Sequence, residues 1–421
     1  MTSQTQQATS VNRRDFLGNS ALNAAGVAVG MWTIGSPSHV EANDRIRIGL
    51  IGLGQQGREL GSLLNQFPAV EINAICDVDA RALAVAQDEL SLGRRRPIAV
   101  SRHEQLLERA DVDAVVIAAP EHWQAQLAVD ASLAGKDVYL EQPVAHSIEE
   151  GTKLEAVVNQ QGTILQTGLP QRSGAHFASA VRLLQSGEIG RVHLAKAWAV
   201  HRRRSLGRCA STQPPQGVDF ERWLGPAPKQ PFRPNRFHGD WPWFWEFGSG
   251  ELGQWGVQLL DVVRWGMDLD LPSRIIATGS NNAFRDDRET PDTMTVQYSF
   301  PEVDVIWEHR QWSRRGIEGR TAASAFYGDR GTLVVDRSGW KVYDGKPGLF
   351  ADASDMKRSH LKDWLDAIRQ RIPPSAPIDV GQRSMTLCHL GNIAWRLGRE
   401  IRFDRDSMNF GDDGEANQLL G

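Results

Sequence analysis

A doubly wound α/β domain followed by an α+β domain is the fold that the 421 residues predict. Three observations predict it. An apolar run from Arg45 to Ile51 enters a Gly-rich turn and then a helical pattern. Strand and helix signals alternate from there to about residue 167. Beyond that point strand-like runs follow one another, with Pro and Gly between them.

Composition narrows the class before any motif is read. Hydrophobic residues make up 41% and charged residues 23%, the balance of a chain that folds around a core. The net charge of −4 lacks the basic footprint that phosphate-backbone binding needs, so nucleic acid is not an expected partner. Cys76, Cys209 and Cys388 lie far apart, with neither metal-ligand nor disulfide-framework spacing, and no metal site is expected.

The expected organisation has four parts: an export signal over 1–42, an α/β domain over 43–167, an α+β domain over 168–380, and a C-terminal helix and tail over 381–421. Arg13-Arg14 precedes Phe16-Leu17 and a mildly apolar stretch to about Gly35, with small residues around Ala42. That is the layout of a twin-arginine export signal, and it predicts a periplasmic or otherwise exported protein. Asn19, Ser20 and Asn23 interrupt the apolar stretch, which falls short of the roughly 18 residues a membrane span needs. No membrane segment is expected in the mature form.

In the second part, Arg45–Ile51 suits a buried parallel strand and runs into Gly52-Leu53-Gly54-Gln55-Gln56-Gly57. Glycines there permit a tight turn and bring backbone N–H groups to a helix N-terminus, where a pyrophosphate sits well. A second strand over 70–76 ends at Asp77, about 20 residues past Gly57, where a carboxylate accepts hydrogen bonds from ribose hydroxyls and repels a 2′-phosphate. The pattern predicts a Rossmann dinucleotide-binding domain and favours NAD over NADP. Gly52, Gly54, Gln55, Gln56, Gly57 and Asp77 are the expected cofactor contacts. Strands over 113–119, 137–140 and 163–167 and helices over 121–134 and 147–159 continue the alternation. Ligands in such sheets bind beyond the carboxyl ends of the strands, which adds Pro120, His122 and Glu141.

Strand-like runs in the third part cover 192–200, 274–278, 293–300, 303–309, 323–327 and 332–335, with a tight turn at Pro301-Glu302. Residues 209–234 are rich in Pro and Gln and read as a long surface loop, and 382–399 as a last helix.

Several motifs in order resemble the glucose–fructose oxidoreductase and inositol dehydrogenase family, Gfo/Idh/MocA. They are Gly49-Leu50-Ile51-Gly52-Leu53-Gly54, then Ala134 through Glu141-Gln142-Pro143, then Gln166-Thr167-Gly168, Gln171-Arg172-Ser173 and Gly253-Gln254-Trp255-Gly256-Val257-Gln258 through Asp261. Val380 to Ser384 and Leu390 to Ala394 complete the set. The chain looks most like the exported members common in planctomycete-type bacteria. The resemblance implies that the second domain carries an open, mostly antiparallel sheet, that the protein is a homo-oligomer (dimer or tetramer), and that the ligand is a sugar or cyclitol.

The resemblance also locates the chemistry. Where the family has the Lys of Glu-Lys-Pro, this chain has Gln142; where it has Asp-x-Gly-x-His, this chain has Gln254 and Gln258. Gln124 stands where exported relatives often carry a His. On a regular helix Gln254, Gln258 and Asp261 share one polar stripe, opposite Leu252, Trp255, Leu259 and Val262. Carboxamides hold hydroxyls but do not exchange protons usefully near neutral pH, so binding is expected to survive and proton transfer to suffer. A substitute base is sought among His122, Glu141, Asp261, Arg172 and His238, each of which also has an ordinary structural use. Gln171 and Arg172 are expected substrate contacts. So are Trp243 and Trp245 of the run Trp241–Phe247, which serves either a carbohydrate cleft or packing beneath a long loop. Two main readings remain open: an oxidoreductase with a non-standard relay, and a non-catalytic dinucleotide- and carbohydrate-binding relative, a partner subunit of an active homologue; a weaker third, implied by the resemblance, is an NAD-assisted lyase or glycosidase.

Overall fold

The computed structural model describes residues 45–421 apart from 92 and 347, and the expected export signal lies outside the described residues. Strand β1 (Ile46–Ile51) is buried at every residue but Arg47, as a central parallel strand covered on both faces must be. It leads into helix α1 (Gln55–Leu64), followed by β2 (Val70–Cys76), α2 (Ala80–Leu90), β3 (Ile98–Val100), α3 (His103–Leu107), β4 (Ala114–Ile117), α4 (Glu121–Leu133), β5 (Asp137–Leu140), α5 (Ile148–Gln161) and β6 (Leu165–Thr167). The six strands are all parallel in the order β3-β2-β1-β4-β5-β6. This is the doubly wound Rossmann arrangement, whose switch point lies between β1 and β4. The stretch from Ala80 to Leu107, without an assignment from pattern alone, supplies α2, β3 and α3.

A 3-10 turn (Pro170–Ser173) and α6 (Ala175–Gln185) lead to β7 (Val192–Val200), the middle of a second sheet. The chain then makes a long excursion, with α7 (Phe220–Leu224), before a π-helical turn (Leu252–Gly256) runs straight into α8 (Val257–Met267). Strands β8 (Arg274–Ser280), β9 (Thr293–Ser299), β10 (Asp304–Arg310), β11 (Ala322–Gly328), β12 (Gly331–Asp336), β13 (Gly339–Tyr343) and β14 (Phe350–Asp352) follow. Helices α9 (Met356–Gln370) and α10 (Ile378–Leu397), strand β15 (Ile401–Arg402) and α11 (Gly414–Asn417) end the chain. The nine strands run β14-β13-β12-β11-β7-β10-β9-β8-β15, and every neighbouring pair is antiparallel except β7 with β10. The sheet is open and mostly antiparallel.

Two features locate the site. Helix α9 returns to the first domain: Leu361, Trp364 and Leu365 bury themselves with Ile48, Leu50, Leu60 and Ile75 on one face of the parallel sheet. The other face continues through α4, α5, α8 and α10 into the second sheet as one core.

The expected surface loop over 209–234 is mostly exposed and irregular apart from α7. Trp223, Leu224 and Phe232 nevertheless turn inward and, with Leu206, Phe237, Trp243, Phe244 and Phe247 from its flanks, form a buried aromatic satellite core that the prolines and glutamines did not announce. Backbone bonds from Ala80 N–H to the Gly217 carbonyl and from Asp219 N–H to the Val78 carbonyl dock this core on the end of β2.

Candidate functional site

The turn after β1 is shaped by what cannot be there. Gly52 has φ +86°, and a Cβ on it would sit 2.6 Å from the Ala118 carbonyl oxygen. A Cβ on Gly57 would overlap the Gly52 carbonyl, so glycine lets α1 close onto the strand. Nothing lies within 4 Å of the Cβ position of Gly54, which faces open space. Gly54 is also the N-cap of α1, and no side chain caps it. The first-turn N–H groups are therefore free for an anion, at the positive end of the helix. Asp77 stands beside the turn. Its Oδ2 accepts from Leu53 N–H at 2.7 Å and its Oδ1 from Asp79 N–H at 2.9 Å. Burial pushes its carboxyl up, and these two amides work against the shift. Open cradle, uncapped helix and fixed carboxylate fit a dinucleotide.

Beyond the carboxyl ends of β4, β5 and β6 lies a cavity of about 230 Å³. Gln56 and Gln124 reach it from α1 and α4, Glu141 and Gln142 from the end of β5, Gln254 from the π turn and Gln258 from α8. Arg337, at the tip of the β12–β13 hairpin, Lys357 of α9, Tyr139 of β5 and Trp241 add further polar and aromatic lining. Gln142, Gln254 and Gln258 do converge on one space.

Their hydrogen bonds fix what each presents. Gln142 Nε2 donates to the Gln254 carbonyl at 3.2 Å, and its Oε1 is buried without a partner. Gln124, 2% exposed, likewise leaves its Oε1 unpaired. Gln254 Nε2 donates to Glu121 Oε1 at 2.9 Å, and Ser249 Oγ to Glu121 Oε2 at 2.6 Å. Glu121 is fully buried, and burial pushes its carboxyl up to about 8 against those two bonds. Gln258 Oε1 accepts from Gln171 Nε2 at 2.8 Å and from Arg337 Nη2 at 2.6 Å. A guanidinium only donates, so it dictates that the amide oxygen of Gln258 points its way.

Glu141 lies among these amides. Its Oε1 accepts from Gln56 Nε2 at 2.8 Å and its Oε2 from Gln142 N–H at 3.2 Å. Burial pushes it up to about 7, opposed by those bonds and by the charge of Lys357, which is itself paired with Glu59.

Other expected site residues are elsewhere. The regular-helix stripe is corrected by the π turn, whose wider winding brings Gln254 and Gln258 to the cavity and carries Asp261 inward. Asp261 is fully buried, bound by Arg172 at 2.8 and 2.9 Å and by Ser384 Oγ at 2.7 Å. Asp261 is taken up by Arg172 and Ser384, and Arg172, which does not line the cavity, gives Nε and Nη2 to Asp261. His122 is buried beneath the aromatic core, with Nε2 3.0 Å from the Trp223 carbonyl, and burial pushes it down to about 4. Its neighbour Pro120 caps α4. His238 pairs with Asp79 at 3.1 Å on the surface. Trp243 is packed under Arg203 and Arg288, and Trp245 against Trp395 and Arg396. Of the aromatic run, Trp241 is the ring that lines the cavity. Gln171 supports Gln258 from below. Pattern reading missed Glu121, Arg337 and Lys357. Glu121 had a signal, being next to Pro120 at a strand end; the other two arrive from distant elements and carried none.

Fold and cradle together define a protein built to hold a pyridine dinucleotide, with a glutamine-lined cavity at the far end of the cradle. Comparison with known proteins agrees with this class. The N-terminal domain of the Gfo/Idh/MocA oxidoreductases, described as an oxidoreductase family NAD-binding Rossmann fold, matches residues 46–169. The family's C-terminal alpha/beta domain matches 198–306 and 344–421. Over 371 residues the chain is 31% identical to the uncharacterized oxidoreductase YrbE of Bacillus subtilis, covering 87% of this chain and 95% of that protein. It is 40% identical over 112 residues to glycosyl hydrolase family 109 protein 2 of Shewanella sp. strain ANA-3, a quarter (25%) of each chain. Two solved structures share the fold at low identity. Myo-inositol 2-dehydrogenase from Lactobacillus plantarum superposes with a TM-score of 0.62, at 16% identity over 86% of this chain and 100% of that one. GenD2 from gentamicin A biosynthesis, in complex with NAD, gives 0.66, at 16% identity over 86% and 97%. The chain belongs to the Gfo/Idh/MocA oxidoreductase family and has its NAD(P)-binding Rossmann fold.

Proposed function

We propose that this chain is an exported, homo-oligomeric member of the family that binds NAD in preference to NADP and holds a sugar or cyclitol in the glutamine-lined cavity, where Glu141 takes the proton of a slow carbinol oxidation. The observation that carries the ligand class is that two of the lining residues, Gln124 and Gln142, each keep a buried amide oxygen without a donor. An unpaired buried acceptor costs about 1–3 kcal/mol, and the hydroxyls of a polyol relieve it. The inositol and sugar-related names among the similar proteins support the same class. Export rests on Arg13-Arg14 and the stretch that follows.

Asp77 supports the choice of NAD, because a carboxylate held by two amides beside the ribose position repels a 2′-phosphate. A nicotinamide bound in the cradle supplies a hydride acceptor. The chain's part is to orient the carbinol and accept its proton. Among the described residues lining the cavity Glu141 is the one carboxyl, and its value of about 7 suits a base working near neutral pH. A second reading, a non-catalytic holder that partners an active homologue, is favoured by the amides at residues 142, 254 and 258, which accept no proton.

One experiment separates the two. The purified chain is loaded with NAD and followed in the reduced-nicotinamide absorbance band with a panel of aldoses, sugar acids and inositols. Slow reduction by one of them, abolished in Glu141→Gln, supports the oxidoreductase. Binding of a sugar with no reduction supports the holder. Failure to take up NAD removes both.

A further inference from the structure

We infer that the ligand of the glutamine-lined cavity carries a carboxylate, making it a sugar acid, and that Arg337 receives that group. The inference rests on the sugar-binding reading above and names the class of sugar.

Most cations near the cavity are already neutralised. Arg172 and Arg264 share Asp261, at 2.8 and 3.9 Å. Within the basic run after β7, His201 and Arg203 share Glu251, at 2.6 and 3.0 Å, and Arg204 pairs with Asp240 at 2.7 Å. Arg202 of that run is exposed and does not line the cavity. Lys357, on the cavity wall, is paired with Glu59. Arg337 differs. No carboxylate of the described residues lies within 4 Å of its guanidinium, which donates one bond to Gln258 Oε1 and lies 4.8 Å over the Trp255 ring. One donor of five is used, and a planar fork remains for an anion.

The fork is held ready. Arg337 stands at a hairpin tip where Ser338 N–H and Oγ both bond Asp336 Oδ1, at 2.8 and 2.6 Å, and Asp336 is anchored by Arg320 at 2.6 Å. Gln258 and Trp255 hold the guanidinium itself, so little side-chain freedom is left to lose on binding. The same cavity offers the hydroxyl acceptors of Gln124 and Gln142. A ring with hydroxyls and a carboxylate matches both kinds of partner.

The test uses the full chain saturated with NAD and calorimetric titration with matched pairs: glucose and glucuronate, galactose and galacturonate, mannose and mannuronate, with glucose 6-phosphate as a further arm. A charged hydrogen bond of this kind corresponds to a preference of about 10- to 100-fold for the acid of at least one pair. In Arg337→Gln that ratio collapses to within about threefold, and Arg337→Lys, which keeps the charge but not the fork, falls between. Equal affinity for every neutral and acidic partner overturns the inference. So does an Arg337→Gln variant that weakens both members of a pair alike, since Arg337 then only props Gln258. Tighter binding of the phosphate than of any uronate overturns the carboxylate assignment. If no sugar of either kind binds the NAD-loaded chain, the parent reading fails. If neutral sugars bind without preference for the acid, only this inference does.

Discussion

At Glu141 burial, two hydrogen bonds and a nearby lysine compete, and burial wins, leaving the carboxyl at about 7. A base with that value is protonated in mild acid and free above neutrality. Any oxidation it assists rises with pH through about 7 and then levels. Glu141→Gln removes the acceptor and lowers the rate by roughly 10²- to 10⁴-fold while the amide keeps the bond from Gln56, and steady-state rates from pH 5.5 to 9 check both points. Gln142→Lys moves the other way. It places an ammonium beside the Gln254 carbonyl and Glu141, and the rate is expected to rise by at least about tenfold; an unchanged rate with intact sugar binding means a cation at residue 142 is not what limits turnover. The glutamines themselves were legible, because a motif fixes their order and the strand ends fix their place. Which titratable group stands among them was not. His122 and Asp261 had equal claims in sequence, and only packing shows one beneath aromatic rings and the other clasped by Arg172 and Ser384.

Elements built from near neighbours in sequence were readable, and elements defined by distant partners were not. The parallel strands announced themselves through apolar runs ending at Asp77, Pro120 and Glu141. The π turn at Leu252–Gly256 did not, because one extra residue in a helical turn leaves the apolar pattern almost unchanged while rotating everything before it. The satellite core was hidden for another reason: its residues, mostly aromatic, are spread from Leu206 to Phe247 and follow no period. That core has a testable office. Trp223 packs against Phe237 and Phe247, and its carbonyl oxygen lies 3.0 Å from His122 Nε2 and accepts from Trp123 Nε1 at 2.9 Å. Trp223→Ala is expected to cost about 3–5 kcal/mol. The loss concentrates in the excursion, so hydrogen exchange should accelerate over 206–247 while β1, β4 and β5 stay protected. Uniform acceleration across both sheets would show that the excursion is part of one cooperative core.

Over the whole molecule, buried ionisable groups of opposite kind set a preferred pH. His122, His360 and His389 are 4%, 0% and 7% exposed, and burial pushes each down to about 4. Unfolded, they titrate near 6.5, so between about 6.5 and 4 the unfolded chain binds up to three protons that the folded chain refuses, and stability falls as pH drops. Glu121 has the opposite sign. Folded it holds its proton to about 8, unfolded it releases it near 4.5, and stability falls as pH rises between those values. From 4.5 to 6.5 the three histidines oppose two glutamates, Glu121 and Glu141, and stability climbs with pH. From 6.5 to 7 both glutamates act, and from 7 to 8 Glu121 acts alone and stability declines by about 1.4 kcal/mol per pH unit. The melting temperature of the chain without dinucleotide is therefore expected to peak near pH 6.5. Glu121→Gln keeps the size and the bonds to Ser249 and Gln254 but removes the proton, so its melting temperature should stay flat from about 7, where Glu141 has been released, to 8 and exceed that of the parent at pH 8. A parent curve still rising through that interval would mean that Glu121 is ionised inside the fold. The carboxylate under Gln254 would then be a fixed charge facing the cavity from below.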